Sequence, residues 1–221
     1  MQDAPLFSPR LDDTASSHGR LTVAIDAAVL DIGLAGLAIE VDTRLATQSA
    51  VTLRLAAEEG EVETRGRVVW CFFHGTASAR GGEQVPVYRA GIEFTDVLTP
   101  LAAGLMRFLE RNAVVEGGSR LFGRFRLSGE RPATVELDAP FTAVEVRAAE
   151  AVIEAPIGIE PPPGCRVRLD PVGAGGDDAP IAGHVAEVAR GESSSELRRL
   201  TLALEADDAP RLARALAAAG E

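Results

Sequence analysis

Apolar and polar positions alternate over short runs along most of this chain, the period of half-buried β-strands. Leu21, Val23, Ile25, Ala27 and Val29 fall on alternate positions and predict a strand over 20–30. The run breaks at Asp31, Gly33 and Gly36, then resumes with Leu37 and Ile39. Glycines inside a strand pattern mark a bulge or a close backbone approach, so the break predicts a strand–corner–strand unit. Further strands are predicted at 51–55, 63–70 and 88–94, with a hairpin turn at 58–61 and a longer Gly- and Ser-rich loop from His74 to Val85. Thr99-Pro100 supplies an N-cap residue and a proline at the first helical position. Leu101, Leu105, Phe108 and Leu109 then form one apolar stripe, which predicts a helix at about 99–112.

After Glu116-Gly117-Gly118-Ser119, which reads as a linker, strands return at 120–127, 133–137, 141–147 and 152–155. A stiff turn at Pro161-Pro162-Pro163-Gly164 precedes strands at 165–169, 181–188 and 197–204. A last helix is predicted at 209–219, with Leu212, Ala215, Leu216 and Ala219 as its stripe.

The halves repeat. Leu37-Ala38-Ile39-Glu40 matches Ala151-Val152-Ile153-Glu154, and Gly66-Arg67-Val68 matches Gly183-His184-Val185. Val51-Thr52-Leu53-Arg54-Leu55 matches Cys165-Arg166-Val167-Arg168-Leu169, and Ile92 and Phe94 precede Pro100 as Leu202 and Leu204 precede Pro210. Matches recurring in the same order along both halves mark a duplicated unit. The expected organisation is a tail over 1–19, a first domain over 20–113, a linker over 114–119 and a diverged second domain over 120–221.

Composition narrows the function. The chain carries a net charge of −11, which disfavours general nucleic-acid binding because phosphate neutralisation dominates that affinity. All 22 basic residues are arginine, so any phosphate contact falls to a planar guanidinium fork suited to bidentate capture. No apolar run reaches the roughly 18–20 residues of a membrane-spanning helix, and no signal peptide is visible, so the expectation is a cytoplasmic protein without membrane insertion. Cys71 and Cys165 sit in apolar, strand-like runs and read as small buried hydrophobes. No Cys/His spacing suits a metal. His18, His74 and His184 stand at no spacing that makes a catalytic triad, and catalytic residues are expected to be none.

The corner, the Gly66-Arg67-Val68-Val69-Trp70 strand and the Tyr88–x–x–Gly91-Ile92–x–Phe94 strand, in that order, resemble the PilZ domain, the bacterial receptor module for cyclic di-GMP. The resemblance covers roughly 20–113, with the second half a diverged copy. It implies an all-β fold of two tandem antiparallel barrels of the PilZ type, each with a short C-terminal helix. It implies a cyclic di-GMP effector or adaptor in second-messenger signalling, not an enzyme, with no further cofactor.

The family's corner reads D-x-S-x-x-G; here Asp31, Gly33 and Gly36 occupy it, with Gly33 in place of Ser. Its second signature is R-x-x-x-R ahead of the corner. The first half lacks it, and Arg120 and Arg124 carry it ahead of the second corner. The second corner holds Glu145, Arg147 and Glu150 instead. Each half thus has half of the signature, and Asp31, Gly33, Gly36, Arg120 and Arg124 are the candidate ligand-binding residues. Arg120 and Arg124 also read as exposed linker arginines, and Asp31 as an Asx turn at a plain corner. Two readings follow: cyclic di-GMP binding, either weakly in one repeat or with the arginines completing the first corner, or an adaptor that binds an unknown protein partner without nucleotide.

Overall fold

The computed structural model describes residues 18–33, 35–57, 60–78, 82, 84–96, 124–126, 132–172, 180–191 and 197–219. The helix expected at 99–112, the linker at 114–119 and Arg120 lie outside the described residues. The described chain is mostly β: β1 (Gly19–Gly33), β2 (Gly36–Val41), β3 (Ala50–Ala57), β4 (Gly60–Ser78), β5 (Gln84–Phe94), β6 (Arg124–Arg126), β7 (Pro132–Arg147), β8 (Glu150–Ala155), β9 (Arg166–Pro171), β10 (Ile181–Arg190) and β11 (Arg198–Leu204). One helix follows among the described residues, α1 (Asp208–Ala219). The strands make a large sheet built of antiparallel ladders. No described helix is long and apolar enough to cross a membrane.

The chain forms two compact units, Ile25–Leu137, and Met1–Ala24 with Asp138–Glu221. In the first, the order is the later part of β1, then β2, β5, β4, β3 and the leading part of β7. Its core holds Ile25, Ile32, Leu37, Ile39, Leu53, Leu55, Ile92 and Val135, all at most 1% exposed. Along β3, Leu53 and Leu55 alternate with the half-buried Thr52 and Arg54, so one face drops out of water while the other stays partly wet, whereas β2 is buried without a break from Gly36 to Ile39.

In the second unit the order is the later part of β7, then β8, β11, β10, β9 and the leading part of β1. Leu21, Phe141, Ile153, Leu169, Leu200 and Leu202 fill its core. Helix α1 packs on β9 and β10 and buries Ala209, Leu212, Ala213 and Leu216. Its inward stripe therefore includes Ala213, whereas Ala215 is only half-buried. His18, which the sequence assigns to the tail, is buried here. Its amide donates to the Phe141 carbonyl at 2.8 Å, and its Nδ1 accepts from the Ala143 amide at 3.0 Å.

The internal repeat is written in the strand register. In β1–β2, Val29 lies opposite Ile39 and Asp31 opposite Ala38, with a bulge at Leu30 between them. In β7–β8, Ala143 lies opposite Ile153 and Glu145 opposite Val152, with a bulge at Val144. In β4–β5 a bulge at Val69 follows the Val68/Ile92 pair, and in β10–β11 a bulge at Ala186 follows Val185/Leu202. The amide of Phe94 donates to Ala35 and that of Leu204 to Ala149, both at 2.9 Å. One sequence match shifts: Val51 opposite Gly66 corresponds to Val167 opposite Gly183, so 51–55 aligns two places later than the apolar pattern implies.

The repeats also exchange strands. Residues 19–24 of β1 pair with β9, and residues 133–136 of β7 pair with β3. Each unit thus takes one strand segment from the other repeat. One local expectation is corrected at 74–85. The 74–85 stretch is not a loop throughout: β4 runs on to Ser78 and β5 starts at Gln84, because the ladder between them supplies the regularity that the side chains lack. Trp70 is not in the core. It lies over Gly91 and stacks on Phe72 at 5.3 Å, 37% exposed, because the Val69 bulge turns the next residue outward. Cys165 is buried as expected, whereas Cys71, beyond the same bulge, is half-exposed.

Candidate functional site

The corner lies between β1 and β2, within the unit Ile25–Leu137. Ile32 packs fully inward from it, and Asp31, one place earlier, is half-buried. The Leu30 bulge sets this arrangement: the extra residue restarts the alternation, so Val29 and Ile32 both face the core. Gly33, the last residue of β1, is buried.

Gly36 has a reason of its own. A Cβ there would collide with the carbonyl oxygen of Ile92 on β5. Its glycine is required by the β2–β5 approach, whatever else the corner does.

On its other edge, the end of β1 carries β6. Gly33 lies opposite Arg124, Ile32 opposite Phe125 and Asp31 opposite Arg126. The sequence puts Arg124 ahead of the second corner; the fold pairs its backbone with the first. Three of the five candidate residues, Asp31, Gly33 and Arg124, therefore share one ladder, with Gly36 heading the adjacent strand. Arg126, opposite Asp31, is a fourth position on that ladder. Its signal in the sequence is only a third arginine beside the R-x-x-x-R run, and chain order alone gives no means of pairing it with Asp31.

The second corner is chemically different. Glu145 holds the register position of Asp31, and Arg147 that of Gly33. Arg147 Nη2 donates to Glu145 Oε2 at 2.9 Å. This hydrogen bond, with the charge of Glu145 behind it, holds the guanidinium above its usual range. Glu150 stands where Gly36 stands in the first corner. The second corner thus brings its own carboxylates and spends its own arginine on one of them.

Among the described residues no group of His, Cys, Asp and Glu could hold a metal ion. No protein-family model matches the sequence, and no curated protein matches it either.

Proposed function

We propose that this chain is a tandem PilZ-like protein that binds cyclic di-GMP at the first corner, with the arginine segment of the second repeat completing the site. The observation that carries the reading is the β1–β6 ladder, in which Arg124 and Arg126 stand opposite Gly33 and Asp31. Directly opposite residues of an antiparallel pair share a face. The ladder then brings one aspartate, one glycine and two arginine positions onto one short stretch of backbone. That set suits a guanine dinucleotide. A carboxylate accepts from the N–H donors of a guanine edge, and an arginine fork takes guanine O6 and N7 or a phosphate. Asp31 and Arg124 are the central pair of the proposal, and Arg120 extends it.

In this reading each unit closes into a PilZ-type barrel. The support is that β1 pairs with β2 and β7 in addition to its neighbours in the main strand order. A cytoplasmic effector or adaptor acting through a protein partner completes the proposal. The nucleotide-free adaptor is the second reading. It is favoured by Gly36, which sheet packing alone explains, and by the carboxylates of the second corner.

Calorimetry of the whole chain with cyclic di-GMP tests the two. Charge-assisted contacts contribute about 1.5–3 kcal/mol each, so Arg120→Ala with Arg124→Ala should weaken binding by roughly two to four powers of ten. Asp31→Ala should lower affinity with the unfolding midpoint nearly unchanged. Binding that survives all three substitutions removes the corner from the site. No binding by the unaltered chain leaves the adaptor.

A further inference from the structure

Beyond the corner, β4 has an edge that no other described strand takes up. The β3–β4 ladder ends at Ala50 opposite Arg67, and Val68 still bonds to Gln48 and Ser49. Past Val68, among the described residues, only β5 pairs with β4, from Trp70 opposite Gly91 to Ser78 opposite Gln84. The result is a two-stranded ribbon that runs beyond β3.

Its residues are unusual for such a place. Val69, Trp70, Phe72 and Phe73 are 44%, 37%, 52% and 58% exposed. Trp70 stacks on Phe72 on one face of the ribbon, and Phe73 meets Tyr88 edge-on at 5.8 Å on the other. Residues 69–78 include no Asp, Glu, Arg, Lys or Pro, although the chain has 33 acidic residues. Soluble sheets guard their edges with charge or proline, and β5 has Pro86 in its half of the ribbon. The β4 edge has neither guard.

We infer that residues 69–78 of β4 pair antiparallel with the same residues of a second copy of this chain. Three observations select this occupant. An antiparallel pair made by one strand with itself is two-fold symmetric, so a single open edge satisfies both sides. A chain at −11 repels its own copies, and an uncharged, aromatic edge is where two copies can meet with the least repulsion and the most apolar burial to offset it. The bulges at Val69 and His74 leave 70–73 as a regular run between them. A two-fold axis through that run sets Trp70 and Phe72 of one copy beside those of the other, with aromatic contacts on both faces of the new ladder.

Sedimentation velocity on the full chain, from about 1 to 200 µM, tests this against a double variant, Phe72→Arg with Phe73→Arg. Both side chains are exposed, so the circular dichroism spectrum should be unchanged. The variant also lowers the net negative charge, so lost association cannot come from overall repulsion. The expected result is a concentration-dependent dimer, weakened roughly 30-fold or more in the variant. Hydrogen exchange at high and low concentration should show protection gained at 69–78 and not at 84–87. A chain monomeric throughout, a variant that dimerises as tightly, or a dimer that leaves 69–78 unprotected would each overturn the inference. A monomer would assign the ribbon to a different protein.

Discussion

Single residues in and around the corner separate packing from recognition. Gly36 is fixed by packing: any side chain meets the Ile92 carbonyl, so Gly36→Ala must push β2 away from β5. We expect it to destabilise the protein by about 1–3 kcal/mol, read as a lower urea midpoint at constant slope. Asp42, just after β2, makes a pH-dependent case. Its carboxyl titrates above the ordinary range, first because surrounding protein takes water from it, and further because Asp26 carries a like charge. A hydrogen bond from its own backbone opposes both. Since the folded state holds this proton more tightly than the unfolded chain, the group favours folding at low pH. That contribution is lost as pH rises through the carboxylate range. Asp42→Asn should therefore raise the unfolding midpoint near pH 7, by less than about 1 kcal/mol because the residue keeps an exposed face. The advantage should vanish below about pH 3, where aspartate is protonated in both states. An advantage that persisted in acid would mean that the carboxylate charge is not its cause.

At the scale of elements, the β3 strand is held by charge as well as by its core face. Arg54 bonds to Glu136 on β7 at 2.8 Å and to Glu63 and Glu61 on β4 at 3.1 and 3.2 Å. The hydrogen bond to Glu136 is the largest cause holding this guanidinium above its usual range, although partial burial opposes it. Arg54→Ala would leave Glu136, whose side chain is 13% exposed, without this partner. The expected loss is about 1–3 kcal/mol, and Arg54→Ala with Glu136→Ala should cost less than the two single changes added together. Most of the strands were legible in the sequence, because strands half-buried in one sheet face must alternate and do so visibly at 21–29 and 37–39. The repeat was legible too, since both copies bury the same positions. The pairing of β6 with β1 was not, because Arg124 is far from Asp31 in the chain and no local pattern encodes a long-range ladder. Nor was the ribbon, since His74-Gly75-Thr76-Ala77-Ser78 has turn-like composition and becomes a strand only through its partner β5.

For the whole molecule, the strand exchange changes what counts as a foldable piece. A cut at 113 looks natural in the sequence, but residues 1–113 lack the β7 segment that pairs with β3. Residues 120–221 lack the β1 segment that pairs with β9. In the first case the missing strand carries Val135 and Leu137, and in the second Leu21 and Val23, all at most 6% exposed. Burial of two such side chains contributes about 3–6 kcal/mol, against a total stability of about 5–15 kcal/mol for an ordinary domain. Each deletion also strips the ladder partner from β3 or β9, leaving an open edge that invites association. Neither fragment should therefore fold as a monomer: dispersion in a ¹H–¹⁵N spectrum should be poor, and light scattering should report aggregates. Mixed from denaturant in equal amounts, the fragments should exchange their strands as the intact chain does and elute as one folded heterodimer. Two well-dispersed monomeric halves would mean that the exchanged segments are dispensable. The same physics governs any binding study. Lost affinity in residues 1–113 would report the missing strand before it reported a missing arginine, so the corner has to be tested by point substitution in the full chain.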